Sequence, residues 1–349
     1  MKILSIIGAR PQFVKAAVFR KYCHENGINE ILLNTGQHYD PVMSNGIFDE
    51  LQVLDADYNF TIKKRSHAAM TAEMMLNIEE IVYEERPDFV NVYGDTNSTL
   101  AGALVASKLN IPIVHIEAGL RSYNKFMPEE KNRILTDHLS TILLCPTFLS
   151  LKNLEKEGII KNVYHTGDIM YDAIKIFSPL FKLPKISYTK NKPLGLVTIH
   201  RAENLMSGKS LSLVIEYLRE FSSNYQLVFP IHPNTKRHLD SYCINYDFFT
   251  LIEPLRYTEM QGLLSNVDLV LTDSGGLQKE AYFHRKECIT LRNETEWTET
   301  IEAGWNMLWT SENRREKRDI PEYGRGDFCS SALQIIKNYS NITGEVKWY

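Results

Sequence analysis

The feature that most constrains this chain is a strand–helix–strand pattern in its first half, with polar residues where each strand ends. An apolar run around Val92 predicts a buried strand, a helix is predicted over 98–109, and a second short strand over 111–116. Thr96 or Asn97 can cap the helix at its start. Two strands joined through a helix pair in parallel, and ligands of such sheets lie beyond the carboxyl ends of the strands. We therefore expect an open α/β sheet with its site at that edge.

Acidic side chains follow both strands and the start of the next helix. Asp95 follows the first strand, and Glu117 follows the second. Glu129 and Glu130 follow Pro128 at the start of another helical pattern, where a carboxylate faces the positive end of the helix dipole. Each of them alone is also compatible with a turn or with a helix terminus. As a cluster they favour proton transfer to and from carbon.

Length, charge and cysteine usage narrow the class of protein. At 349 residues the chain is long enough for two domains, each with its own core. A net charge of −4 argues against nucleic acid or an anionic membrane as a partner. The five cysteines show no C-x-x-C spacing, which indicates reduced thiols and a cytoplasmic protein. No apolar segment reaches the length of a membrane-spanning helix, so we expect no membrane partner.

The alternation of strand and helix patterns occurs twice along the chain. The first series closes near Asp168, and a connecting segment over 175–192 leads to the second. We expect an α/β protein of two Rossmann-like domains, 1–168 and 169–349, whose polar strand ends face each other across a cleft. A last helix near 330–338 can pack back on the first domain.

Two strand–helix junctions have features of anion binding. Arg10 and Lys15 lie near the N-terminus of the first predicted helix, which suits a phosphate. In the second half, Gly275 and Gly276 follow a strand and open a helix, so an anion can approach backbone N–H groups there. Glu280, further along that helix, can accept hydrogen bonds from both hydroxyls of a ribose. The alternative is a tight turn followed by a solvated glutamate.

A series of motifs occurs in order along nearly the whole chain: Gly8-x-Arg10-Pro11, Thr35-x-Gln37-His38, Gly94-Asp95-Thr96, His115-x-Glu117-Ala118-Gly119-Leu120-Arg121, Pro128-Glu129-Glu130-x-Asn132-Arg133, His200-Arg201-x-Glu203-Asn204, Asp273-Ser274-Gly275-Gly276-x-Gln278-x-Glu280 and Thr295-Glu296. Together they resemble the non-hydrolysing UDP-N-acetylglucosamine 2-epimerases. The resemblance implies the glycosyltransferase-B-like arrangement, in which the carboxylates belong to the first domain and the second domain binds UDP. It also implies a homodimer and a reaction that uses neither a metal ion nor a nicotinamide cofactor.

The reaction that the resemblance implies inverts carbon 2 of a UDP-linked 2-acetamido sugar. Loss of the proton at carbon 2, as UDP leaves carbon 1, gives a 2-acetamidoglycal, and UDP adds back after protonation on the opposite face. The catalytic residues implied are Asp95, Glu117, Glu129 and His200. The substrate-binding residues implied are Arg10, Lys15, Arg121, Asn132, Arg133, His232, Ser274, Gly275, Gly276, Glu280, Arg292, Thr295 and Glu296. Which carboxylate removes the proton stays open.

The chain departs from the commonest pattern of that family at a few positions. Ala9 and Gln12 stand where Thr and Glu are usual, and Trp297 stands where Arg-Pro is usual. With Phe13, these residues resemble the branch that acts on UDP-2,3-diacetamido-2,3-dideoxy-glucuronate for surface polysaccharides. Asp40 replaces a glutamine found in members that are activated by their own substrate, so that regulation is not expected here.

Three other functions remain compatible with parts of the sequence. A glycosyltransferase shares the nucleotide-binding end, but the carboxylates of the first domain argue against it. A hydrolysing epimerase would release free sugar and UDP, so accumulation of UDP distinguishes it. A sensor of UDP-sugars would bind without turnover, which the density of acid and base groups disfavours.

Overall fold

The computed structural model describes residues 1–37, 41–63, 66–187 and 192–344, with the side chains at positions 10, 41–45 and 202 outside the description. His38, Asp40 and the side chain of Arg10, all named above, therefore lie outside the described residues. The chain forms two compact units. Unit 1 comprises Met1–Ile176 and the segment from Pro321 onward, and unit 2 comprises Phe177–Ile320.

Unit 1 is an open parallel sheet that alternates with helices. Its described strands are β1 (Lys2–Ile7), β2 (Asn29–Asn34), β3 (Tyr58–Asn59), β4 (Phe89–Tyr93), β5 (Ile113–Ile116), β6 (Ile142–Cys145) and β7 (Val163–His165). They pair in the order β3-β2-β1-β4-β5-β6-β7. Its helices before unit 2 are α1 (Arg10–Glu25), α2 (Pro41–Glu50), α3 (His67–Glu85), α4 (Asn97–Lys108), α5 (Pro128–Leu139), α6 (Phe148–Lys156) and α7 (Ile169–Phe177).

The core of unit 1 forms where the central strands meet α3 and α4. On α3, the buried side chains Met74, Ile78, Ile81 and Val82 recur at helical spacing. They join one apolar cluster with residues of β1 and β4, and every residue of β4 is buried. Burial of each large apolar side chain stabilises the fold by about 1.5–3 kcal/mol. The strand ends that carry Asp95 and Glu117 therefore project from a packed core.

Unit 2 repeats the architecture with a second parallel sheet. Its described strands are β8 (Leu194–Thr198), β9 (Gln226–Pro230), β10 (Thr250–Ile252), β11 (Leu269–Thr272), β12 (Glu287–Thr290) and β13 (Asn306–Leu308). They pair in the order β10-β9-β8-β11-β12-β13. Its helices are α8 (Ala202–Leu205), α9 (Gly208–Phe221), α10 (Pro233–Ser241), α11 (Tyr257–Asn266), α12 (Gly275–Phe283) and α13 (Thr298–Glu302). The predicted α/β class with two Rossmann-like domains is therefore confirmed.

The C-terminal segment belongs to unit 1. It holds α14 (Phe328–Thr343), which packs against α1. The backbone N–H groups of Phe328 and Cys329 donate to the buried carboxylate of Asp172 at 3.1 and 3.0 Å, which anchors the start of the helix. The boundary between the units lies after Ile176. It differs from the expected boundary after Asp168 because α7, which follows Asp168, packs with the first unit.

Across the described ranges, no helix combines the length and the apolar composition that crossing a membrane requires.

Candidate active site

Asp95 lies immediately after β4 and forms an ion pair with Arg133 of α5. Arg133 also donates to Glu130 Oε2 at 2.7 Å, so one guanidinium contacts two carboxylates. The side chain of Asp95 is 30% exposed, whereas that of Arg133 is 13% exposed. The helix that starts after Asp95 is capped by Thr96, whose hydroxyl accepts from the N–H of Thr99 at 3.2 Å. Asp95 is thus fixed by its turn and by a cation while part of its side chain stays open to solvent.

Glu117 lies at the end of β5, the strand next to β4, in a left-handed conformation with a φ of 68°. Its carboxylate contacts the ammonium group of Lys15 on α1, and the two side chains are only 8% and 10% exposed. The turn after β4 passes close by, because a Cβ at Gly94 would lie 3.4 Å from Glu117 Oε2. A non-glycine residue rarely adopts this backbone region. The structure therefore brings Lys15, Glu117 and the Asp95 turn together at one sheet edge.

The two glutamates at the start of α5 have different environments. Glu130 is buried and accepts from the backbone N–H groups of Ser122 and Tyr123 at 2.9 and 2.8 Å. Burial raises the pKa of Glu130, but these N–H groups and the neighbouring guanidinium more than offset it, so the pKa lies below its ordinary value. Glu129 is exposed. Of this pair, Glu129 is the one whose carboxyl group solvent or a ligand can reach.

The side chain of Arg121, which was predicted to bind the substrate, points into the protein. Its Nη1 donates to Asp137 Oδ2, and its Nε and Nη2 donate to the two carboxylate oxygens of Glu157, each at 2.7 Å. Burial lowers the pKa of the guanidinium, but the two carboxylates outweigh burial and raise it. The side chain is 1% exposed. Arg121 therefore stabilises the structure behind the strand ends, and its substrate-binding role stays a prediction.

Asn132, another residue predicted to bind the substrate, is buried and links α5 to the Asp95 turn. It is 7% exposed. Its Nδ2 donates to the carbonyl oxygen of Asp95 at 3.0 Å and to Asn97 Oδ1 at 3.1 Å. It therefore ties α5 to the turn that carries Asp95, and its substrate-binding role stays a prediction.

Gln12 joins two strand-end loops of unit 1. Its Oε1 accepts from the N–H groups of Gly8 and Ala9 at 2.8 and 3.0 Å. Its Nε2 donates to the carbonyl oxygen of Tyr93 at 2.6 Å and to Thr96 Oγ1 at 3.0 Å. Gln12 is buried, so all these polar groups are satisfied within the protein. The departure at position 12 therefore helps to set the geometry of the Asp95 turn.

In unit 2, His200 follows β8 and pairs with Asp273, which follows β11. His200 Nδ1 lies 3.1 Å from Asp273 Oδ1, and the side chains are 51% and 0% exposed. Asp273 also accepts from the N–H of Arg201 at 2.9 Å and from Asn204 Nδ2 at 3.0 Å. Burial raises the pKa of Asp273, but these donors outweigh burial and lower it. A buried carboxylate therefore orients a half-exposed imidazole, an arrangement that suits general acid–base or electrostatic work.

The start of α12 combines a serine that caps the helix with two glycines, as expected of an anion-binding turn. Ser274 caps the helix, with its hydroxyl accepting from the N–H of Leu277 at 3.5 Å. A Cβ at Gly275 would clash with Glu296 Oε1, while space around Gly276 is open. Glu296 in turn accepts from Arg292 Nη1 at 2.9 Å. The structure thus groups the predicted residues Ser274, Gly275, Gly276, Arg292 and Glu296.

Glu280 is held by a chain of side chains that the sequence does not reveal. Gln261 Nε2 donates to Glu280 Oε2 at 2.8 Å, and Gln261 Oε1 lies 2.8 Å from His284 Nε2. Burial and the nearby Lys286 lower the pKa of His284 to about 4, so the ring is neutral near pH 7. Its Nε2 then carries the proton that Gln261 accepts, and this fixes which end of the amide faces Glu280.

Thr295 and Trp297 face the interior of unit 2. Thr295 Oγ1 donates to Gln278 Oε1 at 2.6 Å, so the hydroxyl holds α12. Trp297 is 7% exposed and packs beneath the ammonium group of Lys279, which lies 3.9 Å from the ring centroid. The ring of Trp297 therefore packs in the core of unit 2. His232, the remaining predicted residue, is exposed and caps α10 through its Nδ1.

Proteins of known family and structure are similar to this chain over most of its length. Residues 20–320 match the family described as UDP-N-acetylglucosamine 2-epimerase. A UDP-N-acetylglucosamine 2-epimerase homolog of Methanococcus maripaludis is 44% identical over 360 residues, covering 97% of this chain and 100% of the relative. The UDP-2,3-diacetamido-2,3-dideoxy-D-glucuronate 2-epimerase of Pseudomonas aeruginosa is 45% identical over 313 residues, covering 88% of each.

A solved structure is similar over the same length. The crystal structure of Methanocaldococcus jannaschii UDP-GlcNAc 2-epimerase in complex with UDP-GlcNAc and UDP matches with a TM-score of 0.80 and 34% identity, covering 97% of this chain and 100% of that chain. The predicted glycosyltransferase-B-like fold class is thereby confirmed. The chain belongs to the UDP-N-acetylglucosamine 2-epimerase family.

Proposed function

We propose that this protein inverts carbon 2 of a UDP-linked 2-acetamido sugar by eliminating UDP and adding it back, without net hydrolysis. The observation that carries the proposal is the pair of carboxylates at neighbouring strand ends, Asp95 and Glu117, each in contact with a cation. Exchange of a proton with carbon requires such bases held in place. The names of the relatives support the same reaction class.

Proton transfer is the task of unit 1 in this proposal. One carboxylate removes the proton from carbon 2 while the bond between carbon 1 and the UDP oxygen breaks, which leaves a 2-acetamidoglycal and UDP. A second acid then delivers a proton to the opposite face of carbon 2, and the UDP oxygen forms its bond to carbon 1 again. Asp95, Glu117 and Glu129 are the groups that we propose for these two steps, and single substitutions decide between them.

Binding of the leaving UDP is the task of unit 2. His200, oriented by Asp273, interacts with the diphosphate and stabilises the charge that develops on it. The N–H groups at the start of α12, after Ser274, contact the same diphosphate. Glu280, held by Gln261, accepts hydrogen bonds from the ribose hydroxyls. Lys15 and Arg133 of unit 1 are further cations that we propose for substrate binding, and each contacts a carboxylate of its own unit.

Two sugars are candidate substrates. One is the UDP-N-acetylglucosamine type, and the other is UDP-2,3-diacetamido-2,3-dideoxy-glucuronate, which is named in the Pseudomonas aeruginosa relative. We favour the second, because Ala9, Gln12 and Trp297 depart from the commonest family pattern toward that branch. Its product would serve the biosynthesis of surface polysaccharides. We also propose that the protein acts in the cytoplasm and that it is a homodimer. Sedimentation at working concentration tests the oligomeric state.

The test of this function is proton NMR of each UDP-sugar incubated with the protein. We expect a new UDP-sugar that differs only at carbon 2, formed to an equilibrium mixture without stoichiometric UDP. Accumulation of one UDP per free sugar would favour a hydrolysing epimerase instead. Turnover that starts only when a sugar acceptor is added would favour a glycosyltransferase.

A further inference from the structure

His115 is a fully buried histidine on β5, and both its ring nitrogens face hydrogen-bond acceptors. Nδ1 lies 2.7 Å from Asp137 Oδ1, and Nε2 lies 2.8 Å from the carbonyl oxygen of Gly94. A carbonyl oxygen accepts and never donates, so Nε2 must carry a proton. A neutral imidazole has only one N–H group. The remaining question is therefore whether the proton between Nδ1 and Asp137 belongs to the ring or to the carboxyl group.

The surroundings of Asp137 assign that proton to the ring. Asp137 Oδ2 accepts from Arg121 Nη1 at 2.7 Å and from the N–H of Gly119 at 3.1 Å. The buried guanidinium of Arg121, in direct contact with Asp137, favours the ionised form of this carboxyl group. Asp137 is therefore a carboxylate that accepts three hydrogen bonds. His115 then carries a proton on each nitrogen and is a cation.

The charges around His115 are paired with one another. Arg121 binds Glu157 through two parallel hydrogen bonds, and His138 Nε2 lies 3.6 Å from the same carboxylate. The nearby thiol of Cys145 stays neutral, because burial raises its pKa. The imidazolium of His115 and the guanidinium of Arg121 thus face two carboxylates. Buried charges persist in proteins when they are paired and hydrogen-bonded in this way.

The network connects the two turns that present the proposed catalytic carboxylates. Gly94 precedes Asp95 and has a φ of 61°, and Gly119 follows Glu117 and has a φ of 78°. His115 binds the carbonyl group of the first turn, while Asp137 binds the N–H group of the second. One charged cluster therefore fixes both strand ends to α5.

We infer that doubly protonated His115 is a positioning residue that holds the turns of Asp95 and Glu117 in their reactive geometry. The inference rests on the proposed function, because it gives these two carboxylates the proton-transfer role. His115 itself is fully buried and does not contact the substrate. A displacement of about 1 Å at a reacting group can lower turnover on the order of 10²-fold.

Neutron diffraction tests the protonation state directly. Crystals of the wild-type protein exchanged into deuterated buffer near pH 7 should show nuclear density for deuterium on both Nδ1 and Nε2 of His115, and none on Asp137. A map with deuterium on one ring nitrogen alone would overturn the inference. This measurement needs no variant and no turnover, so its outcome is independent of whether the protein acts on UDP-sugars.

Steady-state kinetics test the positioning role. His115→Gln keeps a donor for Gly94 but removes the charge, so kcat should fall about 10–10²-fold while KM and the Kd for UDP stay within about twofold. The matched control is Glu30→Gln, which breaks the buried Arg20–Glu30 pair in the same unit, at the opposite end of the sheet. Its kcat should stay within about twofold of the wild type. An unchanged kcat in His115→Gln, or an equal loss in both variants, would overturn the positioning role.

Discussion

Removal of one partner from the Lys15–Glu117 ion pair should destabilise unit 1 far more than removal of both. The two groups are in direct contact, and their side chains are 10% and 8% exposed. Lys15→Met removes the ammonium group that contacts the Glu117 carboxylate, and Glu117→Gln removes the negative charge that faces the Lys15 ammonium group. The double variant buries a thioether beside an amide. Neither group is charged, so no charge has to be desolvated.

The structure sets the size of the effect. Breaking a buried pair from one side costs about 3–5 kcal/mol, because a charge stays behind without its partner. The pair lies at a sheet edge with slight exposure, so we expect about 3 kcal/mol for each single variant. The double variant should lie within about 1–2 kcal/mol of the wild type, which gives a coupling energy of about 4 kcal/mol. Lys21→Met on the same helix is the control, since its exposed pair with Glu25 should contribute less than about 1 kcal/mol.

Urea unfolding followed by pulsed hydrogen exchange and mass spectrometry can separate the two units. Peptides from α1 and β5 should lose protection at lower urea in each single variant and recover in the double variant. Peptides from β8 and β11 in unit 2 serve as an internal reference. If the loss in the double variant equals the sum of the two single losses, the side chains are not coupled and the reasoning is refuted.

Three further predictions concern single side chains. Asp95→Asn and Glu129→Gln should each lower kcat by about 10²–10⁴-fold with little change in UDP affinity, and near-full activity in both would remove them from the mechanism. Glu280→Ala should weaken UDP binding by about 1–3 kcal/mol in calorimetry, and an unchanged Kd would make Glu280 a structural residue only. Hydrogen bonds outweigh burial and hold the pKa of Asp273 below its ordinary value of 3.8. The ionised Asp273 carboxylate therefore stabilises the fold above pH 3.8, and this stabilisation is lost as the pH falls through the lower pKa of the folded state. Asp273→Asn should therefore flatten the acid limb of thermal stability measured by circular dichroism below about pH 5, and an unchanged slope would contradict this.

The sequence predicts the central strands well, because each is a long apolar run next to polar turn residues. The apolar run around Val92 lies within β4, and the strand predicted over 111–116 contains β5. It misses β3, which has two residues, and β13, which has three, because so short a segment shows no periodicity. Such edge strands are defined by backbone pairing with a neighbour that is distant in the chain. The helix start at Thr96 is predicted as one of two options, and its hydrogen bond to Thr99 selects it.

The candidate site is predictable in position but not in its internal contacts. Parallel topology alone places Asp95 and Glu117 at the ends of neighbouring strands. The inward turn of Arg121 depends on acceptors 16 and 36 residues further along the chain, so no local pattern signals it. The same holds for Gln12, whose partners in the Asp95 turn lie more than 80 residues away. A polar residue in a motif can therefore bind the substrate or hold the site together, and only burial and partners distinguish the two roles.

The most direct test of the central claim is carbon-bound deuterium in the product. The protein is incubated with each candidate UDP-sugar in deuterated water, and the products are analysed by NMR. Elimination and re-addition through exchangeable carboxylates predicts deuterium at carbon 2 of the epimerised UDP-sugar, with a trace of 2-acetamidoglycal and UDP. Epimerised product that retains protium at carbon 2 would contradict the account, because no proton would then have passed through the carboxylates at the ends of β4 and β5.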